Sequence, residues 1–238
     1  MRRFFERINA KAEDASQAPI LIVALGDSVT QGLLAFETLC PRGVYHACFQ
    51  HELERRYPRT VFSTINAGVG GNTATQGLQR LERDVLHHQP DLLVVAFGLN
   101  DCPEGPAGEG EYRQSLERII LNTQEKTEAD IVLLTPPWMA HRMNEARVHP
   151  EHLKYADRII SAQCAGYLDA YAEIVRELAR KHGLVLADVH AAWGKLAAQG
   201  RDTDSLLSNG LNHPDEEGHK IMCDALLKAV CATSSALP

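Results

Sequence analysis

Four short polar stretches carry the residues of this chain best equipped for covalent chemistry. Ser28 stands in Gly26-Asp27-Ser28-Val29-Thr30, directly after an apolar run, and His213 stands in Asn209-Gly210-Leu211-Asn212-His213-Pro214. Between them lie Gly68-Val69-Gly70-Gly71-Asn72 and Gly98-Leu99-Asn100-Asp101. A serine hydroxyl attacks a carbonyl carbon when a nearby base takes its proton, and the oxyanion that results needs N–H donors fixed in advance. These stretches hold one candidate for each part. Ser28 is the nucleophile, His213 the base, and the backbone N–H groups of Ser28 and Gly71 with the side-chain amide of Asn100 are the donors. Each residue alone has a plainer explanation, since Asp and Ser are preferred helix N-caps and a His before Pro is commonly a surface loop residue.

What would bring them together is the pattern of elements. The run Leu21-Ile22-Val23-Ala24-Leu25 reads as a buried strand over 20–25, Thr60 to Asn66 as a β-branched second strand, and Asp91 to Phe97 as a third. Strands at 130–135 and 184–189 follow. The segments between and after them, 44–57, 75–88, 112–127, 152–182 and 214–231, carry helical spacing, with Gly166 a point of bend or interruption in the fourth. Alternating strand and helix predicts a parallel sheet covered on both faces. The expected fold is therefore α/β, a single three-layer α/β/α domain of five parallel strands over 1–238, with 1–18 a lead-in helix or arm. Ligands in such sheets bind at the carboxyl ends of the strands, and there Ser28, the Gly68–Gly71 turn and Asn100 all fall.

Composition narrows the function classes. With 24 Lys and Arg against 31 Asp and Glu, the net charge of −7 disfavours a nucleic-acid partner. No apolar run approaches the roughly 20 residues that cross a bilayer, and Met1-Arg2-Arg3-Phe4-Phe5 lacks the core of a secretory signal, so a cytoplasmic location is expected. Six cysteines without CxxC spacing read as free, mostly buried thiols. His149 and His152, three apart, and His87-His88 read as helix-end residues, His219 as a second imidazole beyond the Pro-marked loop, and Asp215 and Glu216 as caps of the closing helix.

Taken together, Gly26-Asp27-Ser28, Gly71-Asn72-Thr73, Gly98-Leu99-Asn100-Asp101 and His213-Pro214 resemble the four sequence blocks of the SGNH hydrolases, or GDSL esterases, in the family's order and across nearly the whole chain. The resemblance implies a flavodoxin-like sheet and ester hydrolysis through an acyl-enzyme, with no cofactor and a small-molecule ester as substrate. Ser28 would be nucleophile, Gly71 and Asn100 oxyanion donors and His213 base. Separately from the resemblance, Asp27 and Asn72, beside these residues, and Trp138, in the loop after the fourth strand, are expected to border the substrate. The context of Ser28 is not the GxSxG of α/β-hydrolases. One position departs. The family usually carries Asp three residues before the His, where this chain has Gly210 preceded by Asn209. Asn209, Asp202, Asp204 or a backbone carbonyl would then orient the imidazole, the carbonyl-assisted site being favoured. The missing Asp also leaves open a non-catalytic carbohydrate- or acyl-binding module, and the same parts would serve acyl transfer to a sugar or alcohol.

Overall fold

The computed structural model describes residues 1–233. Its centre is a five-stranded parallel sheet of β1 (Ile20–Gly26), β2 (Phe62–Gly68), β3 (Leu92–Ala96), β4 (Asp130–Leu134) and β5 (Val185–Ala187), in the order β2-β1-β3-β4-β5. Register runs from Ile20 opposite Phe62 on one side of β1 and from Ile22 opposite Leu92 on the other. β1 and β3 are almost wholly buried, which is why they read as unbroken apolar runs and not as alternating ones. The order is the flavodoxin-like one. After β1 the chain moves outward to β2, then returns past β1 to β3, so a crevice opens above the carboxyl ends of β1 and β3.

Helices cover the sheet in two groups. α3 (Tyr45–Arg56), α9 (Val189–Ala198) and α10 (Glu216–Ala232) pack with one another, and α4 (Ala74–Gln79), α6 (Glu109–Lys126) and α8 (Tyr167–His182) form the second group. The one-turn α2 (Ser28–Gln31) stands directly on the end of β1. The lead-in segment is a helix, α1 (Arg2–Glu13), which buries Phe4, Phe5 and Ile8 and donates Phe4 N–H to Asp130 at 2.8 Å, at the start of β4.

The expected 75–88 helix is broken. α4 ends at Gln79, α5 (Leu81–Asp84) follows Arg80, and a 3-10 turn covers Leu86–His88. The first break falls at Arg80, whose guanidinium is committed to carbonyl groups of the sheet. The 152–182 helix divides at Gly166 (φ +74°) into α7 (Leu153–Cys164) and α8. α9 is an element the sequence pattern did not reveal, although Asp188, which accepts from Ala191 N–H at 3.0 Å, is an N-cap signal for it. All six cysteines are free, but only Cys102 and Cys223 are buried and Cys164 is exposed, so "mostly buried" was too strong.

Candidate active site

Ser28 is the first residue of α2, immediately after β1. Asp27 caps this turn, its carboxylate accepting from Val29 N–H at 2.9 Å. That carboxyl group is 2% exposed and is pushed up to about 7, chiefly by burial, so Asp27 shapes the turn from beneath and does not border the substrate as expected. The end of β2 presses on the same turn. A Cβ on Gly68 would lie 2.1 Å from Gln31 N, and one on Gly70 would lie 4.0 Å from Ser28 Cβ. Gly70 N–H donates to Gln31 Oε1 at 2.8 Å, which ties the two turns together.

Gly71 takes a left-handed φ of +74°, a conformation that favours glycine, and a Cβ there would meet nothing within 4 Å. Asn100 reaches across from the end of β3 and donates one Nδ2 proton to Asn72 O at 3.0 Å, which orients the amide and leaves its second N–H unspent. Among the described residues, the backbone N–H groups of Ser28 and Gly71 make no hydrogen bond either. Three donors from three strand ends are thus available.

Two residues with no role in the sequence reading brace this rim. Arg80 donates to Ala67 O and Gly26 O, both at 2.7 Å, to Asn72 Oδ1 at 2.9 Å and to Asp84 at 2.8 Å, clamping the ends of β1 and β2 to the glycine turn. Asn72 is therefore a strut between Arg80 and Asn100. Asp101 accepts from Ala74 N–H at 2.9 Å and fixes the start of α4; burial drives its carboxyl group up to about 7. Four internal polar contacts on one arginine leave no periodic signature, so sequence alone could not single it out.

The loop before α10 brings His213 to the same rim. Its Nδ1 lies 2.9 Å from Leu34 O, in the loop that leaves α2, and Leu33 N–H in turn donates to Ser28 O at 3.0 Å. Donation to a carbonyl fixes the proton on Nδ1 and leaves Nε2 as the acceptor. Burial lowers the imidazole to about 4, against the opposing Leu34 hydrogen bond, so it is neutral at pH 7. Ser28 Oγ and His213 Nε2 share no hydrogen bond in this structure, and such catalytic contacts often tighten only around substrate.

Asn209 is not the orienting group. Its Oδ1 accepts from the N–H groups of Leu211, Asn212 and His213 at 3.0, 3.0 and 2.9 Å, and its Nδ2 donates to Asn212, so the side chain is spent holding the loop in shape. Asp202 and Asp204 do not reach His213 either. Asp204 pairs with His141 at 3.1 Å, and Asp202 caps a 3-10 turn and pairs with Arg142. Asp215 caps α10, accepting from Gly218 N–H at 2.8 Å. His219 lies fully buried against Tyr45, whose N–H it accepts at 3.4 Å.

Trp138 falls elsewhere. With His141, Arg142, Arg201 and Asp204 it lines a cavity of about 400 Å³ whose walls include none of Ser28, Gly71, Asn100 or His213. Its two arginines are paired, Arg142 with Asp202 of the same cavity and Arg201 with Glu217 of α10. Among the described residues, no group of three or more His, Cys, Asp or Glu side chains is gathered as a metal site.

A profile of the GDSL-like Lipase/Acylhydrolase family matches residues 24–221, from within the first strand to the start of the closing helix. The chain belongs to that family. It is an esterase or acylhydrolase of the SGNH type, a carboxylic ester hydrolase, and its substrate is an ester. As a GDSL-type chain it is similar to the acetylxylan esterase of Geobacillus stearothermophilus, 22% identical over 187 residues that cover 75% of this chain and 76% of the relative. An arylesterase of Vibrio mimicus is 32% identical over 92 residues, 38% of this chain and 42% of the other. Among solved structures, LAE5, an alpha/beta hydrolase enzyme from the metagenome of Lake Arreo, Spain, superposes with a TM-score of 0.68 at 24% identity over 90% of this chain and 96% of its own. Axe2, the acetylxylan esterase from Geobacillus stearothermophilus, gives 0.68 at 23% over 89% and 94%. These likenesses establish the fold. No helix among the described residues is long and apolar enough to cross a membrane.

Proposed function

We propose that this esterase hydrolyses small acyl esters, acetyl esters foremost, through an acyl-enzyme on Ser28. The observation that carries the reading is the hydrogen bond from His213 Nδ1 to the Leu34 carbonyl, because it gives the imidazole a defined tautomer in a chain that lacks the usual Asp. It also weakens the case for a non-catalytic binding module, which rested on that missing residue.

The steps follow from the groups at the rim. Ser28 Oγ attacks the ester carbonyl carbon while His213 Nε2 takes the hydroxyl proton. The oxyanion receives the N–H groups of Ser28 and Gly71 and the free N–H of Asn100. His213 then gives its proton to the departing alcohol, leaving the acyl group on Ser28. A water, deprotonated by the same Nε2, attacks the acyl carbon and releases the acid. A carbonyl acceptor lacks the negative charge that would stabilise imidazolium, so orientation, rather than charge, is what Leu34 contributes.

A short acyl group and a carbohydrate alcohol are favoured because relatives of this chain carry the name acetylxylan esterase. The test is p-nitrophenyl acetate hydrolysis beside a series of longer acyl chains and acetylated oligosaccharides. Ser28→Ala and His213→Ala should each abolish turnover, with acetyl preferred by the wild type; full activity in Ser28→Ala eliminates the reading, and a preference for long acyl chains eliminates its acetyl part.

A further inference from the structure

A backbone carbonyl orients an imidazole only as well as its own loop is fixed, and the internal ties of the loop that carries Leu34 are short-range, Thr38 N–H to Ala35 O and Thr38 Oγ1 to Phe36 O, both at 3.2 Å, among them. Leu34 N–H donates to Thr38 O at 2.9 Å, Cys40 N–H returns to Gly32 O at 2.8 Å, and Leu33 pairs with Leu39 in an isolated antiparallel bridge. Ala35, Glu37, Thr38 and Leu39 are exposed, and Glu37 takes a φ of +53° that non-glycine residues seldom adopt.

Phe36 joins this loop to the far side of the site. Its ring lies flat on His149, with centroids 3.8 Å apart and planes 1° from parallel, and meets the edge of His152 at 5.2 Å and 71°. Both histidines belong to the entry into α7, where His149 Nδ1 accepts from Glu151 N–H at 3.3 Å and so holds its own ring in place. His152 is close enough to His213 to bear on its charge. Three rings therefore bridge two loops beside the imidazole, and the carbonyl that holds it is two residues from the bridging one.

We propose that Phe36, clamped between His149 and His152, is a positioning residue that fixes the Leu34 carbonyl and, through it, the tautomer and direction of the His213 ring. The clamp supplies the orienting part, and not the charge, of what a carboxylate three residues before the histidine does elsewhere in the family. This rests on the reading of His213 as the base. Aromatic pairs keep preferred geometries, so the clamp restricts the loop in a way that a general apolar contact would not.

The experiment measures kcat, KM and the pH profile for p-nitrophenyl acetate in the wild type, Phe36→Ala, Phe36→Tyr and His149→Ala, with Ser28→Ala alongside. Phe36→Ala should lower kcat about 10- to 100-fold, as a small misplacement of a catalytic group does, with KM within about threefold. It should also move the acid limb upward from about 4, because opening the loop hydrates a ring that burial holds down. The titratable neighbours that bear on His213 are His152, from the α7 side, and His219, from α10; both are unchanged in the Phe36 variants. Phe36→Tyr should restore both readouts, and His149→Ala should shift them in the same direction as Phe36→Ala. A folded Phe36→Ala with wild-type kcat and acid limb overturns the clamp. If that variant does not fold, wild-type values in His149→Ala overturn it instead. Activity surviving in Ser28→Ala would strike the catalytic reading itself, so the two failures are told apart.

Discussion

At the scale of single residues, the site is notable for which atom does the orienting. Asn209 stands next to the position where the family carries its Asp, yet its oxygen serves three backbone N–H groups of its own loop. Asn209→Asp should therefore leave kcat within a few-fold of wild type, because the new charge would face those amides and not Nδ1. Asn209→Ala should instead cost about 1–3 kcal/mol of stability by leaving buried donors without a partner. Steady-state kinetics and denaturant midpoints check both, and a large gain in kcat for Asn209→Asp would contradict the assignment. The Leu34 carbonyl could not be read from the sequence at all, since every residue carries the same group and only the path of the loop selects one. The places of Ser28, Gly71 and Asn100 were legible because small polar turns follow apolar runs at the ends of buried strands, and that of His213 because its loop is rich in turn residues and marked by Pro214.

Elements place those residues through close backbone approach. Gly68 ends β2 against α2, and an added Cβ would strike backbone atoms 2.1 to 2.7 Å away that cannot rotate aside. Gly68→Ala should displace the turn that carries Ser28 and lower kcat about 100-fold or more. Gly194, inside α9, offers the contrast. A Cβ there makes an ordinary contact, 3.4 Å from Trp138, so Gly194→Ala should raise stability by about 0.5–1 kcal/mol and leave kcat unchanged. Kinetics and thermal unfolding of the pair check the difference; equal losses of activity would contradict it. The strands were legible from their unbroken hydrophobicity. The breaks in the 75–88 helix were not, because apolar spacing continues through Arg80 while its side chain is drawn to carbonyls of two strands. α9 escaped because Gly194 interrupts a short segment that only Asp188 announces.

On the scale of the whole molecule, the buried titratable groups oppose one another. Burial lowers His46, His213 and His219 to about 4, 4 and 3, so between these values and the ordinary 6.5 the unfolded chain binds more protons and stability falls on acidification. Asp27 and Asp101 are raised to about 7, so the folded chain binds more protons between the ordinary 3.8 and 7, and their contribution is present at low pH and lost as pH rises through 7. The two sets offset each other over the shared window. Asp27→Asn keeps a capping side chain but removes one of the raised groups, so its unfolding temperature should drop more steeply than that of the wild type between pH 7 and pH 5. Parallel curves for the two proteins, by calorimetry, would contradict this assignment.

With Ser28 as nucleophile and His213 as base, one hydroxyl, activated by one imidazole at the carboxyl ends of β1 and β3, forms the covalent intermediate. Mass spectrometry of the protein after treatment with a p-nitrophenyl phosphonate tests it most directly. A single phosphonyl group is expected on the peptide containing Ser28, formed in step with loss of esterase activity and far more slowly in His213→Ala. An inactivated enzyme whose adduct lies on any other residue would contradict it.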